Sequence, residues 1–85
     1  MDLDPSNKKL NAIVFANRAV AKLRLKNFEG AISDCEKSID LNENYFKSYL
    51  RRAEARMETG EFEAAISDYK KVHELDPSQN VRPKI

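Results

Sequence analysis

The sequence predicts an all-α fold of two stacked helix-turn-helix units, a fragment of a right-handed α-solenoid. Three observations predict it. One stretch of the chain recurs after 34 residues, apolar residues follow one another at helical spacing, and only two Gly and three Pro interrupt the 85 residues. The units are expected to stack because a single helical hairpin is too thin to bury its own apolar face.

The recurring stretch runs from Arg18 to Leu41 and returns as Arg52 to Leu75. Within it, FEGAISD at 28–34 becomes FEAAISD at 62–68. Small and aromatic residues at matching positions are expected to pack in the core, with alanines where helices cross. These core positions are Ala19, Ala53, Ala31, Ala65, Phe28 and Phe62.

The apolar spacing and the breaks in it predict four helices. Gly60 suits a left-handed helix end, and Pro77 stops the last helix. The residues that follow lack periodicity and are expected to form a frayed tail. The predicted helices are Lys8–Lys26, Phe28–Leu41, Tyr45–Glu58 and Phe62–Leu75.

Composition argues against several classes of function. The 15 basic and 14 acidic residues leave a net charge of +1, which gives no reason to expect nucleic acid or a membrane as partner. No apolar run is long enough for a membrane helix, and the N-terminus lacks a signal-peptide pattern. Cys35 is the only cysteine, so no internal disulfide can form, which fits a reducing compartment. We therefore expect a soluble, cytoplasmic protein.

No set of residues supports catalysis, a metal site or a cofactor. His73 has no second ligand at metal spacing and is expected on an outer helix. Cys35 aligns with Tyr69 at a core position, which predicts a buried thiol rather than a nucleophile. The repeated Ser-Asp pairs have no histidine partner. We expect no enzyme and no cofactor.

The period and its signature residues resemble the tetratricopeptide repeat. The resemblance covers 12–79, with one unit at 12–45 and the second at 46–79. Residues 1–11 are expected to hold the start of the first helix and the end of a preceding repeat, and 80–85 the C-terminal tail. The second unit has the family's residue types at Tyr49, Ala53, Gly60, Phe62, Ala65, Tyr69 and Pro77.

The first unit departs from the family pattern in three places. It has Lys26 where Gly is usual, Ser38 where Ala is usual and Glu43 where Pro is usual. In both units an arginine, at positions 18 and 52, stands where the generic repeat has Leu. These departures leave the period of the repeat unchanged.

Two strings narrow the resemblance to co-chaperones. FANRA at 15–19 and KSYLRRA at 47–53 look like the branch whose groove captures the acidic C-terminal tail of heat-shock chaperones. The order NKKLNAIVFANRA, AISDC, YLRRAEARM is most similar to J-domain (DnaJ-like) co-chaperones, although these residues contain no J domain. The resemblance implies a protein-interaction module that binds EEVD-type tails of the seventy- and ninety-kilodalton chaperone classes.

Repeat geometry predicts that three candidate binding residues share one surface. Asn17 and Arg51 are 34 residues apart, so they occupy equivalent positions on helices that lie side by side on the concave face. Lys47 precedes Arg51 by four residues and shares its helix face. A terminal carboxylate would neutralise the two cations, because Arg offers a planar fork and Lys a compact charge.

The resemblance implies that Asn17, Lys47 and Arg51 form most of a carboxylate clamp. Its remaining Lys and Asn would come from a helix before residue 1, so the pocket is expected to be partial and its affinity weak. Three further residues on the same groove-facing sides of the helices could contact the peptide residues that precede its terminal carboxylate. These are Arg24, Glu54 and Glu58. The simpler alternative for all six is a solvated helix face.

A second hypothesis is a structural scaffold or self-association module that recognises no carboxylate. Without a preceding helix, apolar surface at Ile13 and Val14 would be uncovered. Two copies could then pair as a homodimer. Peptide titration and sedimentation across concentrations distinguish the two hypotheses.

Overall fold

Four α-helices joined by short turns form the part of the chain that the computed structural model describes, residues 6–79. They are α1 (Lys8–Arg24), α2 (Phe28–Leu41), α3 (Phe46–Glu58) and α4 (Phe62–Leu75). α2 packs against both α1 and α3, α4 packs against α3, and α1 also contacts α3. The predicted all-α arrangement of two stacked hairpins is confirmed. Of the residues after Pro77 that were predicted to fray, Ser78 and Gln79 are instead hydrogen-bonded to Asp76. The C-terminal tail at 80–85 and the segment before residue 6 lie outside the described residues.

The helix ends agree with the prediction except at two places. α1 ends at Arg24 rather than Lys26, because Lys26 adopts a left-handed φ of 61°. Gly60, at the equivalent position of the second hairpin, has a φ of 81°, as predicted. The lysine at this turn costs roughly 1 kcal/mol more than glycine because its Cβ crowds the backbone. α3 begins one residue later than predicted, with Tyr45 as its N-cap.

Asparagine side chains fix the starts of the first two helices. Asn7 Oδ1 accepts a hydrogen bond from the Leu10 N–H at 2.9 Å. Asn27 Oδ1 accepts one from the Gly30 N–H at 3.1 Å. A Cβ at Gly30 would lie 2.5 Å from Asn27 Nδ2, so glycine leaves room for this cap. Caps of this type contribute about 1 kcal/mol each.

Small side chains fill the space between the helices. Ala19 and Ala31 are completely buried, and so are their equivalents Ala53 and Ala65, which confirms the predicted crossing positions. Val72 is the largest of the fully buried residues. A core of small residues lets the helix backbones approach closely, and the hairpins are correspondingly thin.

The two repeated phenylalanines differ in burial. Phe28 packs against a buried cluster that includes Cys35 and Ala31. Phe62 is 45% exposed, so its prediction as a core residue is wrong. The reason is the packing around each helix: α3 covers α2, whereas α3 is the only described helix that packs against α4.

A buried carboxylate occupies the same position in each hairpin. Asp34 and Asp68 are 0% and 3% exposed, and each faces two cations from the preceding helix. Asp34 Oδ2 lies 3.3 Å from Arg18 Nε and 2.9 Å from Lys22 Nζ. Neither oxygen of Asp34 accepts a hydrogen bond of good geometry from a described residue, so charge attraction alone holds this group.

In the second hairpin, the buried aspartate accepts hydrogen bonds from both of its cationic partners. Arg52 Nε and Nη2 donate to the two oxygens of Asp68 at 3.0 and 2.8 Å, and Arg56 Nη1 donates to Oδ2 at 2.8 Å. Burial lowers the pKa of Arg52, but the hydrogen bonds and the charge of Asp68 outweigh burial and raise that pKa above its ordinary value. The arginines that stand where leucine is usual therefore hold a buried carboxylate.

A hydrogen-bonded pair of serines joins three helices. Ser38 Oγ in α2 donates to the carbonyl oxygen of Ala12 in α1 at 2.6 Å. Ser48 Oγ in α3 lies 2.6 Å from Ser38 Oγ. Because Ser38 has one hydroxyl proton and gives it to Ala12, Ser48 donates the second bond. All three residues are fully buried, so these bonds link the two hairpins inside the core.

Replacing Asp68 with Ala should lower the free energy of unfolding by about 3–5 kcal/mol, because two partly buried guanidinium groups lose their counter-charge. Arg52 and Arg56 have only 17% and 19% of their side chains exposed, so water compensates little. Denaturant unfolding followed by circular dichroism measures the change. The matched control is Asp40→Ala on the exposed side of α2, expected to shift stability by less than about 0.5 kcal/mol. A loss below about 1 kcal/mol for Asp68→Ala would contradict this role.

A double-mutant cycle tests the serine pair. Ser38→Ala should cost about 1–3 kcal/mol, because it leaves the buried Ser48 hydroxyl without its acceptor. Adding Ser48→Ala removes that unpaired hydroxyl, so the double variant should be more stable than the sum of the single changes by about 0.5–1.5 kcal/mol. Unfolding curves of the four proteins give the coupling. Additivity within about 0.3 kcal/mol would show that the two hydroxyls act independently.

Candidate peptide-binding site

The three residues of the predicted clamp lie on two helices that contact each other, α1 and α3. Asn17 is exposed in the middle of α1, Lys47 is exposed in the first turn of α3, and Arg51 follows one turn later with 30% of its side chain exposed. All three side chains are thus accessible to a ligand. Within residues 6–79, no hydrogen bond joins one of them to another. We refer to the surface around Asn17, Lys47 and Arg51 as the clamp surface.

The start of α3 is electrostatically positive. Its N-cap, Tyr45, makes no side-chain capping bond, and no acidic residue lies in its first turn. Lys47 lies in that turn, where the helix dipole already places partial positive charge. The positive end of α3 and the charge of Lys47 add to each other at the clamp surface, and together they attract a nearby anion.

A hydrogen bond from a tyrosine holds the turn that precedes this helix. The Tyr49 hydroxyl donates to the carbonyl oxygen of Glu43 at 2.9 Å. Glu43 is the residue that stands where the resembling family has proline, and here its backbone carbonyl fastens the α2–α3 turn to α3. The position of Lys47 at the helix start therefore depends on this contact.

Arg51 has an ion-pair partner that the sequence analysis did not predict. Arg51 Nη1 donates to Glu54 Oε1 at 2.7 Å, and 39% of the Glu54 side chain is exposed. The spacing of three residues along a helix was the available signal, because it brings opposite charges within reach. Glu54 was predicted as a possible contact for upstream peptide residues, with a solvated helix face as the alternative, and the structure adds its bond to Arg51.

The charges of this ion pair act on two tyrosines. Burial raises the pKa of Tyr45, and the nearby positive charge of Arg51 lowers it in part. Burial also raises the pKa of Tyr69, and the negative charge of Glu54 raises it further. The positive charge of Arg51 thus acts on the N-cap residue of α3, and the negative charge of Glu54 acts on a residue of α4.

The other two residues predicted as possible contacts for the upstream part of the peptide lie at helix ends. Arg24 is the last residue of α1 and Glu58 the last of α3, and both are exposed. Among the described residues, neither forms a salt bridge. They lie 34 positions apart in equivalent places with opposite charges.

The remaining candidates considered in the sequence are a cysteine and a histidine, Cys35 and His73. Cys35 is fully buried, and burial raises the pKa of its thiol to about 12, which confirms the predicted buried thiol. His73 is exposed on α4. The described residues contain no group of three or more His, Cys, Asp or Glu that could hold a metal ion. In the same range, no helix combines the length and apolar character needed to cross a membrane.

Comparison with known proteins gives two family matches. Models of the tetratricopeptide repeat match residues 12–45 and 46–79. The mouse protein DnaJ homolog subfamily C member 7 is 40% identical over 52 residues, which cover 61% of this chain. RNA polymerase II-associated protein 3 of Xenopus laevis is 49% identical over 76 residues, or 89% of this chain. The matches span 10% and 11% of those relatives, so this chain corresponds to about a tenth of their length.

A solved structure agrees with both the fold and the sequence match. It is the first tetratricopeptide domain of Spaghetti (RPAP3) bound to the HSP90 peptide SRMEEVD. The TM-score is 0.80 at 43% sequence identity, over 82% of this chain and 56% of that one. With both of its hairpins matched by the repeat model and the same arrangement in a solved relative, the chain belongs to the tetratricopeptide repeat family.

Proposed function

We propose that this chain is the peptide-binding module of a co-chaperone, and that it receives the acidic C-terminal tail of heat-shock chaperones. The single observation that carries the proposal is its similarity, at 43% identity and a TM-score of 0.80, to a domain bound to an HSP90 peptide ending in EEVD. Tetratricopeptide repeats are protein-interaction modules. The proposed activity is binding without catalysis, in the cytoplasm, where the seventy- and ninety-kilodalton chaperone classes supply such tails.

The chemistry of the clamp surface supports this ligand. A chain-terminal aspartate carries two carboxylates, and the clamp surface offers two cations beside the positive end of α3. Arg51 provides a planar pair of donors, Lys47 a compact charge, and Asn17 a neutral amide that adds no repulsion. In this proposal the three residues hold the terminal carboxylates, and Arg24, Glu54 and Glu58 flank the upstream peptide.

The proposal predicts that binding depends on the free terminal carboxylate. The peptide SRMEEVD should bind at least about tenfold more tightly than its C-terminal amide, because a hydrogen bond to a charged group contributes about 1.5–3 kcal/mol. NMR titration of the isotope-labelled chain suits weak affinities and locates the shifted residues. Arg51→Ala should weaken binding of the free acid by a similar factor.

Lys70→Ala is the matched control for this experiment. It removes one positive charge from an exposed position on α4, away from the clamp surface, and should leave the affinity within about twofold because screened surface charges contribute little. Equal binding of the two peptides, or an unchanged affinity in Arg51→Ala, would overturn the proposed function.

Exposed apolar residues support self-association as a second candidate function. Leu10 and Ile13 on α1 are 44% and 38% exposed, and Phe62 on α4 is 45% exposed. Contact between copies would bury these side chains, each of which contributes about 1.5–3 kcal/mol when fully removed from water. This candidate needs no carboxylate, so it predicts equal behaviour with either peptide.

Sedimentation equilibrium over a wide concentration range measures this self-association. If the exposed apolar residues mediate it, the apparent mass should rise with concentration, and Phe62→Ser or Ile13→Ser should shift the rise to higher concentration. Glu63→Ser, an exposed change beside Phe62, is the control. A constant monomer mass at the highest concentration would exclude the second candidate.

A further inference from the structure

Glu54 is bonded to Arg51, the arginine of the clamp surface. Its Oε1 accepts the Arg51 Nη1 hydrogen bond at 2.7 Å, and both side chains are partly shielded from water. No described residue accepts a bond from Arg51 Nε or Nη2. One edge of the guanidinium is therefore engaged by a carboxylate of the protein itself, and the other edge remains for a ligand.

The repeat does not require an acid at this position. Val20 stands 34 residues earlier, at the equivalent place on α1, and is only partly buried. An ion pair at this spacing on a helix stabilises it only slightly, by about a few tenths of a kcal/mol, so stability of α3 is a weak reason for Glu54. Its main effect is electrostatic, because it places a negative charge beside the group that is to bind an anion.

A ligand carboxylate and the Glu54 carboxylate have the same chemistry and attract the same guanidinium. When both are present they also repel each other, and partial shielding from water strengthens that repulsion. We propose that Glu54 is a specificity-determining residue, an internal competitor that lowers the affinity of Arg51 for peptide carboxylates. This inference rests on the proposed function, since it concerns the same clamp surface.

The competition has a consequence for which peptides bind. A tail that offers two carboxylates at its last residue can use Lys47 for one and the free Nε–Nη2 edge of Arg51 for the other. A ligand with a single carboxylate has to share Arg51 with Glu54 or rely on Lys47 alone. The competition by Glu54 thus favours peptides that end in an acidic residue over those that offer only a terminal carboxylate.

Glu54→Gln tests the competition directly. Glutamine keeps the size of the side chain and an oxygen that can accept the Arg51 bond, but it removes the charge. Affinity for SRMEEVD as the free acid should rise about two- to fivefold, the range expected for one partly exposed charge pair. The peptide SRMEEVA, which keeps only its terminal carboxylate at the last residue, should gain at least as much.

Glu63→Gln is the matched control, because it makes the same charge change at an exposed position on α4. Its effect on either peptide should be smaller than about 1.5-fold because of screening. Unchanged or weaker binding in Glu54→Gln would overturn the inference. An equal gain in Glu63→Gln would also overturn it, since net charge would then be the cause.

Binding measurements on the unsubstituted parent chain distinguish failure of the Glu54 inference from failure of the proposed function. If the parent chain binds the free acid no better than the amide, the proposed function fails and the inference fails with it. If it discriminates between them and Glu54→Gln changes nothing, only the competition is wrong. Circular dichroism of Glu54→Gln should match the parent chain, because glutamine and glutamate have similar helix propensity.

Discussion

The rest of the structure depends on the ion pairs that a buried aspartate makes in each hairpin. Asp34 and Asp68 lie in the interior, and each is neutralised by two cations placed four residues apart on the preceding helix. An alanine core can tolerate small shifts between helices, because its side chains are small and similar. A buried charge cannot, since moving it by one turn would separate it from at least one of its two cations. The carboxylates therefore fix the register of the two helices within each hairpin.

This register also determines what the neighbouring arginine does. Arg52 turns inward to Asp68, whereas Arg51, the residue before it, is partly exposed on the clamp surface. Successive residues on a helix lie on different faces, so fixing Arg52 fixes the face on which Arg51 emerges. The two adjacent arginines thus differ in role: Arg52 stabilises the fold, and Arg51 belongs to the proposed peptide-binding surface.

The repeat in the sequence was sufficient to predict four helices, the alanine crossings and the buried thiol of Cys35, because equivalent positions in two stacked hairpins make the same contacts within each hairpin. It could not predict Phe62, since two identical phenylalanines differ only in whether another helix covers them. The end of α1 was missed because Lys26 adopts a backbone conformation that its type rarely takes. The Arg51–Glu54 bond was missed because spacing shows which side chains can meet, while their chosen rotamers decide which do.

Ser38 and Ser48 bear on how the molecule comes apart. Helical repeat proteins behave as a row of units, each with its own stability and a coupling energy to its neighbour. In this chain the buried hydroxyl pair, with its bond to the Ala12 carbonyl, lies at the contact between the two units. Separating the two hairpins breaks the bond between Ser48 and Ser38, whereas the bond from Ser38 to Ala12 lies within the first hairpin. The serine bond therefore adds to the coupling energy between the two units, and it lowers the population of a partly open state in which only one hairpin is intact.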